Sequence, residues 1–234
     1  MLLSSKIIFI FSLILFVLYI ERFNVGMLRS TIDTVRNKML THAGSIELQS
    51  QLEEDPIILP SIILHEIEDN LVLVCLDTYG NYVCQKVIPY LSSGQLYKFV
   101  CGIAAEFELM ATSIPGSCII SVLMNHSVNL DDPSCKIILL QTIERHVAQM
   151  ICDPQGSHLL QLALVLYDQS EVEFILQTVK DNFFIISNDR FGCCLIKKII
   201  EIDRTSESKI VDYNEIFSHV YTNLITLSSV RTAL

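Results

Sequence analysis

The sequence contains no tryptophan and is poor in helix-breaking residues, with 8 glycines and 6 prolines among its 234 residues. No long run of Pro, Gly or Ser divides it, so beyond the N-terminus we expect one continuous body rather than domains on flexible linkers. It also lacks a C-x-x-C pair, an H-E-x-x-H motif, a serine elbow and a phosphate-binding glycine loop. These absences disfavour a metal site and the common enzyme classes, and we expect neither an enzyme nor a cofactor.

The eight cysteines have no metal-ligand spacing. Most of them lie among Val, Ile and Leu on predicted helices, so we expect buried free thiols in a protein of a reducing compartment. Cys193 is the exception, because its place in the pattern described next puts it on the surface.

A unit centred on a glycine recurs along the chain. The glycines at 44, 80, 116, 156 and 192 are separated by 36, 36, 40 and 36 residues. A fixed period of this length is typical of stacked-repeat proteins. We assign the extra residues of the longer gap to a loop at 129–133. Residues 227–231 fall where a sixth unit should begin, but without the glycine.

Each unit reads as a turn followed by an apolar helix. In the second unit Val83, Cys84, Val87 and Ile88 form a stripe that needs a neighbouring helix to cover it. A second helix is predicted between successive glycines, for example over residues 96–106. Two stacked helices per unit predict an all-α solenoid, with its concave side lined by the glycine-bearing helix of every unit, the lining helix.

On a lining helix, the residue after the glycine and the residue four positions later share a face. Asn81 and Gln85 form such a pair, with Tyr82 beside them. Two amides can hydrogen-bond to the edge of a nucleobase while an aromatic ring stacks on its face. We therefore expect these side chains to point outward and to bind single-stranded nucleic acid.

The repeated motif and its spacing resemble the Pumilio (PUF) repeat family over about residues 30–234. The resemblance implies a curved α-solenoid that binds single-stranded RNA at one base per repeat. It further implies binding to the 3′ untranslated region of messenger RNA and regulation of translation or decay through recruited protein partners. Members of the family usually carry eight repeats, so five and a fraction indicate either a divergent, shortened member or an incomplete gene model.

The resemblance also implies base-reading residues, unit by unit. Asn81 and Gln85, with Tyr82 stacking, match the pattern for uracil in the second unit. In the fifth unit Lys197 departs from the Gln or Glu that the family has at this place, and Cys193 offers a small side chain to a base. We expect both of these residues to contact RNA.

Two further units resemble the family's pattern for adenine. The fourth has Ser157 and Gln161, with His158 as the stacking residue. The first has Ser45 and Gln49, with an isoleucine at the stacking position.

The alternative hypothesis is an α-solenoid that serves as a protein-interaction scaffold without reading RNA. A net charge of −10 favours it, because phosphate binding needs locally concentrated positive charge. The candidates near the lining helices are Lys86, Lys197 and Lys198. In the third unit Ser121 replaces the expected Gln or Glu, and we expect its polar residues to be only a solvated face.

The N-terminus differs from the repeat body, and we divide the chain into residues 1–23 and 24–234. Residues 7–20 are uninterrupted by charge or proline. They are open to three interpretations: a short membrane anchor, a signal peptide or a buried terminal helix. If they span a membrane, the basic residues that follow them predict a repeat body facing the cytosol. We expect a cytoplasmic protein, with or without such an anchor.

Overall fold

A computed structural model describes residues 35–205 of the chain. The regular secondary structure of these residues is entirely helical, with no strand among them, which confirms the all-α prediction. Residues 35–39 are helical, and 3₁₀ turns occupy Glu68–Asn70, Ile88–Tyr90 and Gln169–Glu171. The α-helices that follow residue 41 are α1 His42–Glu54, α2 Leu59–Ile67, α3 Leu71–Leu76, α4 Gly80–Val87, α5 Ser93–Ala104, α6 Phe107–Thr112, α7 Ile114–Ser127, α8 Ser134–Ile151, α9 Pro154–Leu166, α10 Glu173–Asp181, α11 Phe183–Ser187 and α12 Arg190–Thr205.

The lining helices are α1, α4, α7, α9 and α12, and each carries its repeat glycine in its first turn. Every lining helix packs against the next one along the chain, as a solenoid requires. The residue three positions before the glycine starts the helix, because its side-chain oxygen accepts a hydrogen bond from the glycine N–H. The residues with this role are Thr41, Asp77, Ser113, Asp153 and Asp189.

The repeat glycine is required by close packing rather than by backbone angles, since no described residue has a positive φ. A Cβ atom added to Gly80 would lie 2.6 Å from the carbonyl oxygen of Val74, and one added to Gly156 would lie 2.6 Å from that of Met150. In both cases the crowded residue stands six positions earlier. The glycine therefore lets the lining helix start directly against the end of the preceding helix.

The prediction of a single second helix per unit is wrong for three units. The chain bends at Asn70, Glu106 and Asn182, each ten residues before a repeat glycine, with φ between −118° and −136° and ψ between 22° and 30°. These angles lie near the sparsely populated bridge region and end the preceding helical segment. In the unit of Gly156 the equivalent residue stays helical, and α8 runs unbroken.

The predicted apolar stripe is confirmed in α4 and the 3₁₀ turn that follows it, where Val83, Cys84, Val87 and Ile88 are at most 1% exposed. They belong to one continuous core that extends from Val35 to Ile199. In α12 the equivalent stripe is only partly covered, with Leu195 and Ile199 buried and Ile196 and Ile200 half-buried. Residues 129–133 lie in the connection between α7 and α8, where the extra loop was predicted.

The expectation of mostly buried cysteines is wrong. All eight are free, but only Cys75, Cys84 and Cys135 are buried. The other five are exposed: Cys152 follows the end of α8, and the remaining four lie on helix faces turned away from the core, namely Cys101, Cys118, Cys193 and Cys194.

No helix within residues 35–205 is long and apolar enough to cross a membrane. The apolar run at 7–20, the boundary between residues 23 and 24 and the sixth-unit stretch at 227–231 all lie outside the described residues. The three interpretations of the N-terminal run therefore stay predictions.

Candidate nucleic-acid interface

The second residue after each repeat glycine is exposed in all five units. Tyr82 and Ile46 are 56% and 55% exposed, which is high for large apolar side chains. Because successive lining helices pack side by side, these positions form a row along the solenoid, which we call the exposed row. Its members are Ile46, Tyr82, Cys118, His158 and Cys194.

The first residue after the glycine was expected to face outward, and this is wrong in four units. Ser45, Asn81, Ser117 and Ser157 are only 1–6% exposed, whereas Cys193 in the last described unit is exposed. In the first and fourth units the cause is contact with the next unit. Its N-terminal turn lies over this position, which the sequence of one unit does not show.

The buried serines join neighbouring units. The hydroxyl of Ser157 donates to the backbone carbonyl of Phe191 at 2.9 Å, and that of Ser45 donates to the carbonyl of Tyr79 at 3.0 Å. Both acceptors directly precede the glycine of the following unit. These hydrogen bonds fix the approach of adjacent lining helices, a structural role that sequence reasoning missed.

Asn81 instead bonds within its own unit. Its Nδ2 donates to the carbonyls of Asp77 at 2.7 Å and Thr78 at 3.0 Å. Its Oδ1 accepts a hydrogen bond from Gln85 Nε2 at 2.9 Å. The predicted pair is therefore brought together, and the rotamer of Gln85 is held in place beside Tyr82.

The same amide contact recurs in the units with serine. Gln49 Nε2 lies 3.1 Å from the Ser45 hydroxyl oxygen, and Gln161 Nε2 lies 3.3 Å from that of Ser157. These glutamines are half-buried. No described residue donates to Oε1 of Gln85 or Gln161, so each carbonyl oxygen can accept a hydrogen bond from a base.

The third and fifth units are built differently. Ser117 Oγ contacts Gln155 Oε1 at 3.0 Å, and the half-buried Ser121 supplies no amide. In the fifth unit Cys193 Sγ donates to the Ser187 carbonyl at 3.0 Å, while Lys197 is exposed. The structure thus brings the predicted residues together as an Asn–Gln pair in the second unit and as Ser–Gln pairs in the first and fourth units.

Two of the three lysines expected to supply positive charge near the lining helices are paired with carboxylates. Lys86 Nζ lies 2.6 Å from Glu53 Oε1 on the preceding lining helix. This hydrogen bond lowers the pKa of Glu53 and raises the pKa of Lys86, so both groups are charged at neutral pH. Lys198 Nζ lies 3.9 Å from Glu201 Oε2. The described part of the chain contains no group of three His, Cys, Asp or Glu residues able to hold a metal ion.

Comparison with known proteins identifies the repeat. The sequence model of the Pumilio-family RNA binding repeat matches residues 70–103, 146–179 and 182–209, the units of Gly80, Gly156 and Gly192. A Pumilio domain-containing protein of Schizosaccharomyces pombe is 23% identical over 165 residues, covering 70% of this chain and 23% of that protein.

Solved structures share the fold. The Puf3 RNA binding domain bound to a Cox17 RNA 3′ UTR recognition sequence superposes with a TM-score of 0.67 at 22% identity, covering 82% of this chain and 54% of that one. PUF-8 in complex with PBE-RNA superposes with a TM-score of 0.66 at 18% identity, covering 90% of this chain and 61% of that one. The chain thus spans about a quarter of that curated relative and somewhat more than half of each of these two solved chains.

Proposed function

Because the chain is a divergent member of the Pumilio repeat family, we propose that it binds single-stranded RNA and prefers particular bases at particular units. One observation carries the proposal. In three units the exposed row lies next to a glutamine held by a hydrogen bond to the residue one helical turn earlier, so a stacking position and a hydrogen-bonding group stand together on one lining helix. This combination suits unpaired bases, which present both a face and an edge.

The base preferences follow from the unit chemistry together with the family pattern. We propose uracil at the unit of Asn81, Tyr82 and Gln85. We propose adenine at the unit of Ser157 and Gln161, with His158 stacking. In both units the free Oε1 of the glutamine would accept a hydrogen bond from the base, since uracil and adenine each carry an N–H donor on the Watson–Crick edge.

The first unit extends the proposed adenine pattern to Ser45 and Gln49, with Ile46 as an aliphatic platform. The third unit contributes no base reading, because Ser121 supplies no amide.

In the cell, we propose cytoplasmic action on the 3′ untranslated region of messenger RNA. Control of translation or decay would then act through recruited protein partners.

The test is selection from a randomised single-stranded RNA pool with the full chain, followed by sequencing of the retained RNA at moderate salt. A motif with A and U at the spacing of the units is expected. A double variant, Asn81→Ala with Gln85→Ala, should weaken binding to the selected RNA by about 1–3 kcal/mol per lost base contact and relax the uracil position alone. A folded protein that enriches no motif would overturn the proposal.

The second candidate function is a protein-interaction scaffold. The observation that favours it is the Lys86–Glu53 ion pair, which neutralises a cation on a lining helix of a chain with a net charge of −10. If the folded protein enriches no RNA motif in the selection, the scaffold becomes the better supported function.

A further inference from the structure

The fifth unit presents different chemistry from the other four. At the position where three units carry a glutamine, α12 carries Lys197, whose side chain is exposed. A glutamine offers a donor and an acceptor, whereas an ammonium group offers donors only. The difference changes which base edge this unit can match.

The partner position does not restore an acceptor of comparable strength. Cys193 Sγ donates its proton to the Ser187 carbonyl at 3.0 Å, so the thiol hydrogen is used within the protein. The remaining sulfur is a weak acceptor and a small side chain. The stacking position holds Cys194, which has no ring to select a base by its face. Any discrimination at this unit must therefore come from Lys197.

The ammonium group of Lys197 is also distinct from that of its neighbour. Lys198 is half-buried and lies 3.9 Å from Glu201, on a different side of the same helix. Lys197 stands one helical turn after Cys193, the spacing at which the other units place their base-reading pair. The ammonium group of Lys197, which can only donate hydrogen bonds, thus stands where three other units place the glutamine proposed to contact a base edge.

We propose that the fifth unit selects a base presenting two adjacent hydrogen-bond acceptors, with Lys197 as the specificity-determining residue. Cytosine has such a pair at N3 and O2, and guanine has one at O6 and N7, an edge that lysine recognises in other nucleic-acid complexes. Uracil separates its two carbonyl oxygens by an N–H, and adenine places its amino group beside the ring acceptor on both its Watson–Crick and its Hoogsteen edge. The inference rests on the proposed RNA binding and specifies it at one unit.

The test uses the full chain in the same randomised RNA selection, compared with Lys197→Gln and with the matched control Lys198→Gln. The wild-type protein should enrich C or G by about tenfold at one position, the scale of one lost base-edge contact. That position should lie next to the base assigned to the unit of Ser157. Lys197→Gln should change the base at this position and no other, and Lys198→Gln should leave the motif unchanged.

If guanine is enriched, RNA carrying 7-deazaguanine at this position separates the two edges, since it lacks N7 and should bind about tenfold more weakly. Enrichment of A or U overturns the inference. So does an unchanged base choice in Lys197→Gln accompanied by a weaker salt dependence, which would make Lys197 a phosphate contact. No motif at any position would instead overturn the proposed function itself, so the two failures are distinguishable.

Discussion

The repeat glycine makes a stability prediction whose sign can be worked out from the structure. A Cβ atom at Gly156 would lie 2.6 Å from both the Cα and the carbonyl oxygen of Met150, and 2.8 Å from its Cβ. Backbone atoms cannot rotate aside as a flexible side chain can, so Gly156→Ala must push the end of α8 away from the start of α9. Such overpacking costs about 1–3 kcal/mol.

Alanine also gains about 0.5–1 kcal/mol over glycine within a helix, which offsets part of that cost. Combining the two effects gives a net loss of about 0–2.5 kcal/mol, and from the middle of both ranges we expect Gly156→Ala to lower the free energy of unfolding by about 1 kcal/mol. Gly94 is the matched control, because it lies in the first turn of α5 and a Cβ atom there meets nothing within 4 Å. Gly94→Ala should leave the protein unchanged or make it up to about 1 kcal/mol more stable.

Urea denaturation followed by circular dichroism measures both variants in the same assay. The opposite signs are the informative result, since a general intolerance of alanine would destabilise both proteins. A Gly156→Ala protein as stable as the wild type would refute the close-packing explanation of the repeat glycine. The period of the sequence would then need another cause.

Three further predictions concern the proposed interface. Tyr82→Ala should weaken RNA binding by about 1–3 kcal/mol through lost stacking, whereas Tyr97→Ala on α5 should not, and equal losses in fluorescence anisotropy would contradict this. Ser157→Ala should lower the free energy of unfolding by about 1 kcal/mol, because it removes a hydrogen bond between units, and an unchanged urea transition would speak against that role. Glu53→Gln should free Lys86 to contact phosphate and steepen the slope of log affinity against log salt by roughly 0.7, and a slope that does not change would show that Lys86 contacts no phosphate.

Much of the fold follows from local rules that the sequence displays. The side chain three positions before each glycine caps a helix, and the apolar spacing after it gives one face to the core, as Val83 and Val87 show. Both signals lie within a dozen residues, so the order of lining helices could be predicted. The bends at Asn70, Glu106 and Asn182 could not, because no single residue type marks all three and their common feature is a backbone angle.

The candidate site likewise has features that the sequence predicts and features that depend on contacts between units. The pairing of Asn81 with Gln85 was predictable, since residues four apart on a helix are neighbours. The burial of Ser157 was not, because the residue that accepts its hydrogen bond stands 34 positions later. The compensation of Lys86 by Glu53 spans 33 residues and depends on how two lining helices pack. Similarly, the exposure of Cys118 depends on which face its helix turns to the core.

By itself, then, the sequence determined the period of the repeats, the helical class and the residues that share a helical face, because these depend on spacing within one unit. Only the tertiary structure decided which of those residues remain exposed, which hydroxyls join one unit to the next and which charges are neutralised. The reason is that each of these properties is set by contacts between units, whose partners lie more than thirty residues apart along the chain.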